Sequence, residues 1–170
     1  SQGFDEYFGI PYSNDMWPFT YDLKRATPNV NAKLASFPEL PLMHDTTRVS
    51  YFTSIEDQEQ ITTLYTEKAV EFIHKNKNTS FFMYLAHSMP HVPLAVSRKF
   101  KGKSELGIYG DVLMEIDWSL KEIVAALDGC GLSQNTLIIF TSDNGPWINF
   151  GDHAGSTGGF REGKGTTFEG

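Results

Sequence analysis

The stretch SLKEIVAALDGCGLSQNTLIIFTSDNGPW, Ser119–Trp147, decides the fold class. Its first part closes an apolar helical period that begins near residue 107, with Ile108, Val112, Met114, Ile116, Leu120, Ile123, Val124 and Leu127 mostly at helical spacing. Asp111, Glu115, Lys121 and Glu122 fall on the polar face, and Gly129 and Gly131 stop the helix near residue 128. Thr136 to Thr141 is then a β-branched apolar run too short for a free-standing helix, which predicts a buried strand. That strand ends abruptly in Asp143, Asn144 and Gly145, either a turn or a site.

Upstream, the same alternation of elements recurs. Ile61, Leu64, Tyr65, Lys68, Ala69, Phe72 and Ile73 predict a helix over 54–75, with Ser54 and Asp57 in capping-box relation. SFFMYLAHS, Ser80 to Ser88, is a second apolar run, bounded by KNKNT and by Pro90 and Pro93, and predicts a strand. Helix, strand, long helix and strand in that order imply a right-handed crossover in an α/β fold with a mostly parallel sheet flanked by helices. Residues 1 to about 50 carry Pro, Asn and aromatics without a sustained period and read as a long, irregular, packed excursion.

Composition narrows the function classes. The 170 residues carry 14 Lys and Arg against 21 Asp and Glu, a net charge of -7, which argues against a nucleic-acid or anionic-membrane partner. An anionic substrate would need a local cation. No stretch approaches the length of a membrane span, and the start has neither a basic region nor an apolar signal core. Cys130, the one cysteine, excludes an internal disulfide, and in DGCGL it matches no zinc or redox spacing, so it reads as a quiet, partly buried thiol.

Ligands of open parallel sheets bind beyond the carboxyl ends of the strands. The first predicted strand runs into His87 and His91, the second into Asp143 and Asn144, which puts two polar clusters on one rim. A hairpin at Asp-Asn-Gly needs a returning strand, and PWINFGDHAGSTGGF has a Pro, many glycines and no alternation. The site reading is a carboxylate beside an amide carbonyl, hard oxygen ligands suited to Ca²⁺ or Mg²⁺, whereas zinc is more often given His or Cys. His87 and His91 are not a helical metal pair, because Pro90 disfavours helix at Met89. His44, His74 and His153 have weaker cases. GGFREGKG meets the first seven positions of a phosphate-binding loop at Gly158, Gly163 and Lys164, but Gly165 stands where Ser or Thr must hold magnesium, and no strand precedes. A glycine loop presenting Lys164 to an anion, with Arg161 as helper, fits better than a nucleotide site. A solvated surface lysine is the alternative.

Four segments in this order, GFDEYFGIPYSND, FFMYLAHSMPHVPL, GDVLMEIDWSL and FTSDNGP running on to GGFREGKGTTFEG, resemble the sulfatases, in particular the arylsulfatase A-like branch of the alkaline-phosphatase-like superfamily. The resemblance spans nearly the whole chain and implies hydrolysis of sulfate monoesters. It implies further that Asp143 and Asn144 are ligands of one Ca²⁺, that Lys164 binds the sulfate, that His91 faces the ester oxygen as catalytic acid and substrate contact, and that Ser13 lines the substrate pocket. His87 matches no functional position of the family. Partners would be a sulfated small molecule or glycan, and an exported, periplasmic or lysosomal setting is suggested by the family alone.

The family's nucleophile is a formylglycine made from a C-x-P-S-R motif, which this sequence lacks: Cys130 is followed by GLSQ. The paired aspartates of the family's first strand and its early lysine and histidine are also absent. The resemblance therefore implies that residues 1–170 are an interior part of one sulfatase catalytic domain, inactive alone, with formylglycine in the parent protein. A phosphatase or phosphodiesterase of the same superfamily is the rival enzyme, disfavoured by Asn144 beside Asp143. A non-catalytic anion-binding relative is the rival of another class.

Overall fold

The computed structural model describes residues 3–170. Two long helices organise it, α3 (Ile61–Asn76) and α4 (Gly107–Gly129), preceded by a short α2 (Ile55–Gln58). Ser54 and Asp57 form the expected capping box: the Asp57 N–H donates to Ser54 Oγ at 3.2 Å and the Ser54 N–H to Asp57 Oδ2 at 3.0 Å. That box caps α2 alone, so the one helix expected over 54–75 is two, divided at Glu59 and Gln60. α4 ends as its glycines dictate, with Gly131 at φ 70°, a left-handed backbone that suits a residue without Cβ.

The helices bury their apolar stripes against each other and against the extended segments beside them. Ala69 and Ile73 of α3 meet Ile123, Ala126 and Leu127 of α4, with Phe81, Met83 and Leu85 packed on top. A second cluster places Met89, Val92, Leu94, Ala95 and Val96 over Val112 and Ile116. Between the helices runs a polar seam. Thr66 Oγ1 donates to Ser119 Oγ at 2.6 Å, and the same Ser119 oxygen lies 3.0 Å from His87 Nε2.

The sheet arises where no regular structure was expected. β1 (Phe8–Gly9), β2 (Leu40–His44) and β3 (Thr47–Phe52) form an antiparallel sheet in the order β1-β2-β3, and α1 (Pro28–Ala35) lies between β1 and β2. β2 and β3 are a hairpin closed by Asp45 and Thr46, with Leu40 opposite Phe52 and a register shift between Leu42 and Met43. Leu40, Leu42 and Phe52 face inward to Trp17, Ile61 and Tyr65, whereas most of β3 is exposed. Periodicity missed the hairpin because Pro41 interrupts one strand, with Pro38 just before it, and only one residue of the other is buried.

Segments 80–88 and 136–141, expected as paired parallel strands, are extended but have no ladder partner among the described residues. The first still alternates: Phe81, Met83 and Leu85 pack on the helices, while Phe82 and Tyr84 are 75% and 73% exposed. Parallel pairing needs a neighbouring strand across a long connection, and none lies beside either run here. The α/β class holds; the ladder within the described residues is antiparallel.

Two buried groups set how the fold responds to acid. Asp111, 3% exposed, accepts N–H bonds from Gly102, Lys103 and Ser104 at 2.7, 2.9 and 2.7 Å. Burial alone would raise its pKa, but these three backbone donors outweigh it and hold the carboxyl below its usual range. Its stabilising effect is thus complete above the ordinary carboxylate pKa and fades as pH falls through the lowered one. Asp111→Ala in the full-length protein should cost about 3 kcal/mol at neutral pH in urea unfolding, the order of one or two charge-assisted bonds. His87, desolvated between the helices, has its pKa lowered to about 4. The unfolded chain therefore takes up this proton first, and stability should decline as pH drops from about 6.5 to 4, by up to about 3 kcal/mol. His87→Gln should flatten that part of the profile; an unchanged slope would show that other groups produce it.

Candidate functional site

Two loops that are far apart in sequence are built against each other beyond residue 141. The Pro146 carbonyl accepts the Lys164 N–H at 3.0 Å, and Gly163 passes so close that a Cβ there would lie 2.3 Å from the same oxygen. Gly145 meets Gly170 in the same way, with a Cβ at 2.4 Å from its carbonyl carbon. Glycine is thus required by close backbone approach, not by flexibility, and the GKG segment is a brace for the DNGP loop.

This brace sets Lys164 over an aromatic ring. Lys164 Nζ lies 5.2 Å from the centroid of Trp147, and among the described residues no carboxylate is within ion-pair distance of it. Arg161, the expected helper, instead donates from Nε to Glu169 Oε1 at 2.9 Å and covers Phe168. Trp147 also neighbours His91, with ring centroids 6.5 Å apart. One indole therefore joins His91 and Lys164.

His91 is half-buried in a loop whose Met89–Pro90 and Val92–Pro93 bonds are cis. Its Nδ1 lies 2.7 Å from the Val92 carbonyl, which only accepts, so the proton sits on Nδ1 and Nε2 is the atom left for chemistry. The same loop is tied to the segment carrying Ser13. Asn14, 1% exposed, donates from Nδ2 to Pro93 O at 3.2 Å and to Gln58 Oε1 at 3.1 Å, while Gln58 Nε2 returns a bond to Asn14 O at 3.1 Å. Ser13 itself is exposed, at the lip of this clasp.

Asp143 and Asn144 are exposed, three or four residues before Trp147, in a turn where Ser142 Oγ donates to the Asn144 carbonyl at 2.8 Å. Their donor set, one carboxylate and one amide oxygen, has the hard character that calcium takes, but supplies only part of the six to eight oxygens it needs. Among the described residues no group of three or more His, Cys, Asp and Glu is gathered for a metal.

The remaining histidines lie elsewhere. His87 is in the interhelical seam, stacked on Tyr65 at 6.3 Å, a packing position. His44 faces Glu6 at 3.8 Å, His153 ends a 3-10 turn, and His74 is exposed with Cys130 Sγ at 3.3 Å from its Nδ1. Sequence reasoning missed Trp147, Asn14 and Gln58. Trp147 had a visible signal, an aromatic directly after Asp-Asn-Gly-Pro, whereas the Asn14–Gln58 pair has none, since it joins residues 44 apart.

Comparison with known proteins identifies the family. The sequence profile of the Sulfatase family matches residues 1–169. The N-acetylgalactosamine-6-sulfatase of Mus musculus is 38% identical over 177 aligned residues, covering 99% of this chain and 31% of its own length. An N-acetylgalactosamine-6-O-sulfatase of Bacteroides thetaiotaomicron is 45% identical over 93 residues, 55% of this chain and 18% of that protein. Among solved structures, the PsFucS1 sulfatase from Pseudoalteromonas sp. superposes with a TM-score of 0.86 at 30% identity, over 99% of this chain and 36% of its own. The chain thus spans about a third of the length of the mouse relative and of the Pseudoalteromonas structure. Its fold is the alkaline-phosphatase-like fold of those neighbours, and the chain belongs to the sulfatase family.

Proposed function

We propose that the protein containing this chain hydrolyses sulfate monoesters, and that residues 1–170 form part of its one catalytic domain. The observation that carries the reading is the indole of Trp147, which joins at one place Lys164 and His91, a cation and a ring Nε2 that have no carboxylate or hydrogen-bond partner, respectively, among the described residues. A sulfate ester is a compact anion on an alcohol. It needs a positive contact at its non-bridging oxygens and a proton donor at the bridging one.

Each residue has a role in this reading. Lys164 pairs with a non-bridging sulfate oxygen as a point charge. His91, with Nδ1 committed to the Val92 carbonyl, delivers a proton from Nε2 to the departing alcohol, which requires the doubly protonated ring. Ser13 borders the pocket, held near His91 by the bond from Asn14 to Pro93. Asp143 and Asn144 contribute two oxygen ligands to a calcium ion. Calcium, when bound, supplies screening of the Asp143 charge and polarisation of a sulfate oxygen. The nucleophile, a formylglycine, would come from outside these residues. The names of the relatives, sulfatases acting on N-acetylgalactosamine 6-sulfate groups, support a sulfated glycan as the substrate class.

Two substitutions in the full-length protein test this. His91→Ala should lower kcat for an aryl sulfate by about a hundredfold, within the range of a lost general acid; undiminished turnover would refute the acid role. Asp143→Ala should remove both activity and the calcium measured by atomic absorption after dialysis. A variant that keeps its metal would exclude Asp143 as a ligand.

A further inference from the structure

Trp147 is the first ring of a row. Its centroid is 4.8 Å from that of Phe150, at 72°, and Phe150 is 5.1 Å from Tyr21, at 65°. Phe150 rests on the Val112 and Ile116 core, so the row has a fixed base, while Trp147 and Tyr21 remain 38% and 54% exposed. The row starts at the indole shared by His91 and Lys164 and leads away from them to Tyr21.

We propose that Tyr21, Phe150 and Trp147 form a binding wall for the alcohol part of the ester, and that this wall selects ring-bearing sulfates, pyranosides above all, over linear alkyl sulfates. The inference rests on the sulfate-ester reading, because it takes the anion to sit at Lys164 and His91. The carbon skeleton beyond the bridging oxygen must then leave that place, and the row offers it aromatic faces and edges, its neighbouring rings set edge-to-face at 72° and 65°. A pyranose presents a flat face of C–H groups and an aryl ester a flat π face; either matches an aromatic surface, whereas a short linear chain covers one ring edge. The far end also carries a polar handle. Burial, with the Asp15 carboxylate second, raises the pKa of Tyr21, so its hydroxyl stays protonated and can donate to a sugar oxygen. Asp15 lies two residues from Ser13, in the same segment that leads on to Tyr21.

A packing role alone predicts something different: loss of Trp147 would loosen the Lys164 loop and weaken every ligand alike. The test compares Trp147→Ala, Trp147→Phe and Tyr21→Ala in the full-length enzyme on 4-nitrophenyl sulfate, a sulfated methyl pyranoside and a short linear alkyl sulfate, with the inhibition constant of inorganic sulfate as reference. Trp147→Ala should raise KM for both ring-bearing esters about tenfold, the effect of one lost aromatic contact. Tyr21→Ala should keep KM for the linear ester and the inorganic sulfate constant within about twofold; in Trp147→Ala, whose indole also positions Lys164, those two constants should rise less than the ring-bearing KM values, and Trp147→Phe should recover most of the loss. Tyr21→Ala should raise KM for the pyranoside more than for the aryl ester. Equal losses across all ligands, or none, would overturn the wall. If the wild-type enzyme hydrolyses none of the three esters, the sulfate-ester reading fails, and the wall is judged separately by tryptophan fluorescence titrated with the sulfated pyranoside. A spectral change in wild type that disappears in Trp147→Phe supports the wall; no change in wild type overturns it.

Discussion

A buried carboxylate holds the arrangement together. Glu115, 1% exposed on α4, accepts Thr63 Oγ1 of α3 at 3.1 Å on one oxygen and the Ser97 N–H at 3.1 Å on the other. An acidic group so far from water is tolerated only while its hydrogen-bond partners stay in place, because leaving it unpaired costs several kcal/mol. Three segments are thereby committed to one geometry: both long helices and the strap from Met89 to Ser97. The apolar contacts of that strap with Val112 and Ile116 add area, but area is non-directional. The carboxylate fixes register, and His91 rides on the strap it fixes.

From this base the candidate site is assembled from loops whose positions are set by polar bonds. Asn14 and Gln58 bind the strap to the segment of Ser13 through reciprocal amide bonds in a dry interior, where such bonds specify geometry strongly. On the other side, the Pro146 carbonyl and the missing side chain of Gly163 bring Lys164 to Trp147. Local charge then differs from the chain's overall -7, since a lysine with no carboxylate partner among the described residues faces the loop that an anion would enter. Net charge informs long-range encounter; a pocket is governed by the few groups within a Debye length.

The sequence made the helices legible because their stripes are long and periodic: Ile61 to Ile73 and Ile108 to Leu127 read as helix on spacing alone. It also placed Asp143, Asn144, His91 and Lys164 on loops, since Pro90, Gly145, Pro146, Gly163 and Gly165 stand beside them. What it concealed follows from the same physics. A hairpin such as β2–β3, with a proline in one strand and five exposed residues in the other, has no period-2 pattern to detect. Contacts such as Asn14 to Pro93, 79 residues apart, depend on the finished packing and leave no local trace. Trp147 stands directly after Asp-Asn-Gly-Pro, but a lone aromatic beside a turn ordinarily packs, so its sequence context does not single it out.

The two extended apolar runs decide how far the site is determined by these residues. Leu137, Ile139 and Phe140 are 84%, 77% and 68% exposed, and Phe82 and Tyr84 on the other run are likewise large apolar side chains left to water. Segments apolar on both faces are the pattern of strands interior to a parallel sheet. Asp143 and Asn144 hang from the end of one such run. Their loop is braced from the Lys164 side through Pro146, whereas among the described residues the run that delivers them has no ladder beside it. The proposed anion contacts, Lys164 and His91, are thus positioned by bonds within these residues, whereas the run that carries the two proposed oxygen ligands is fixed at its loop end.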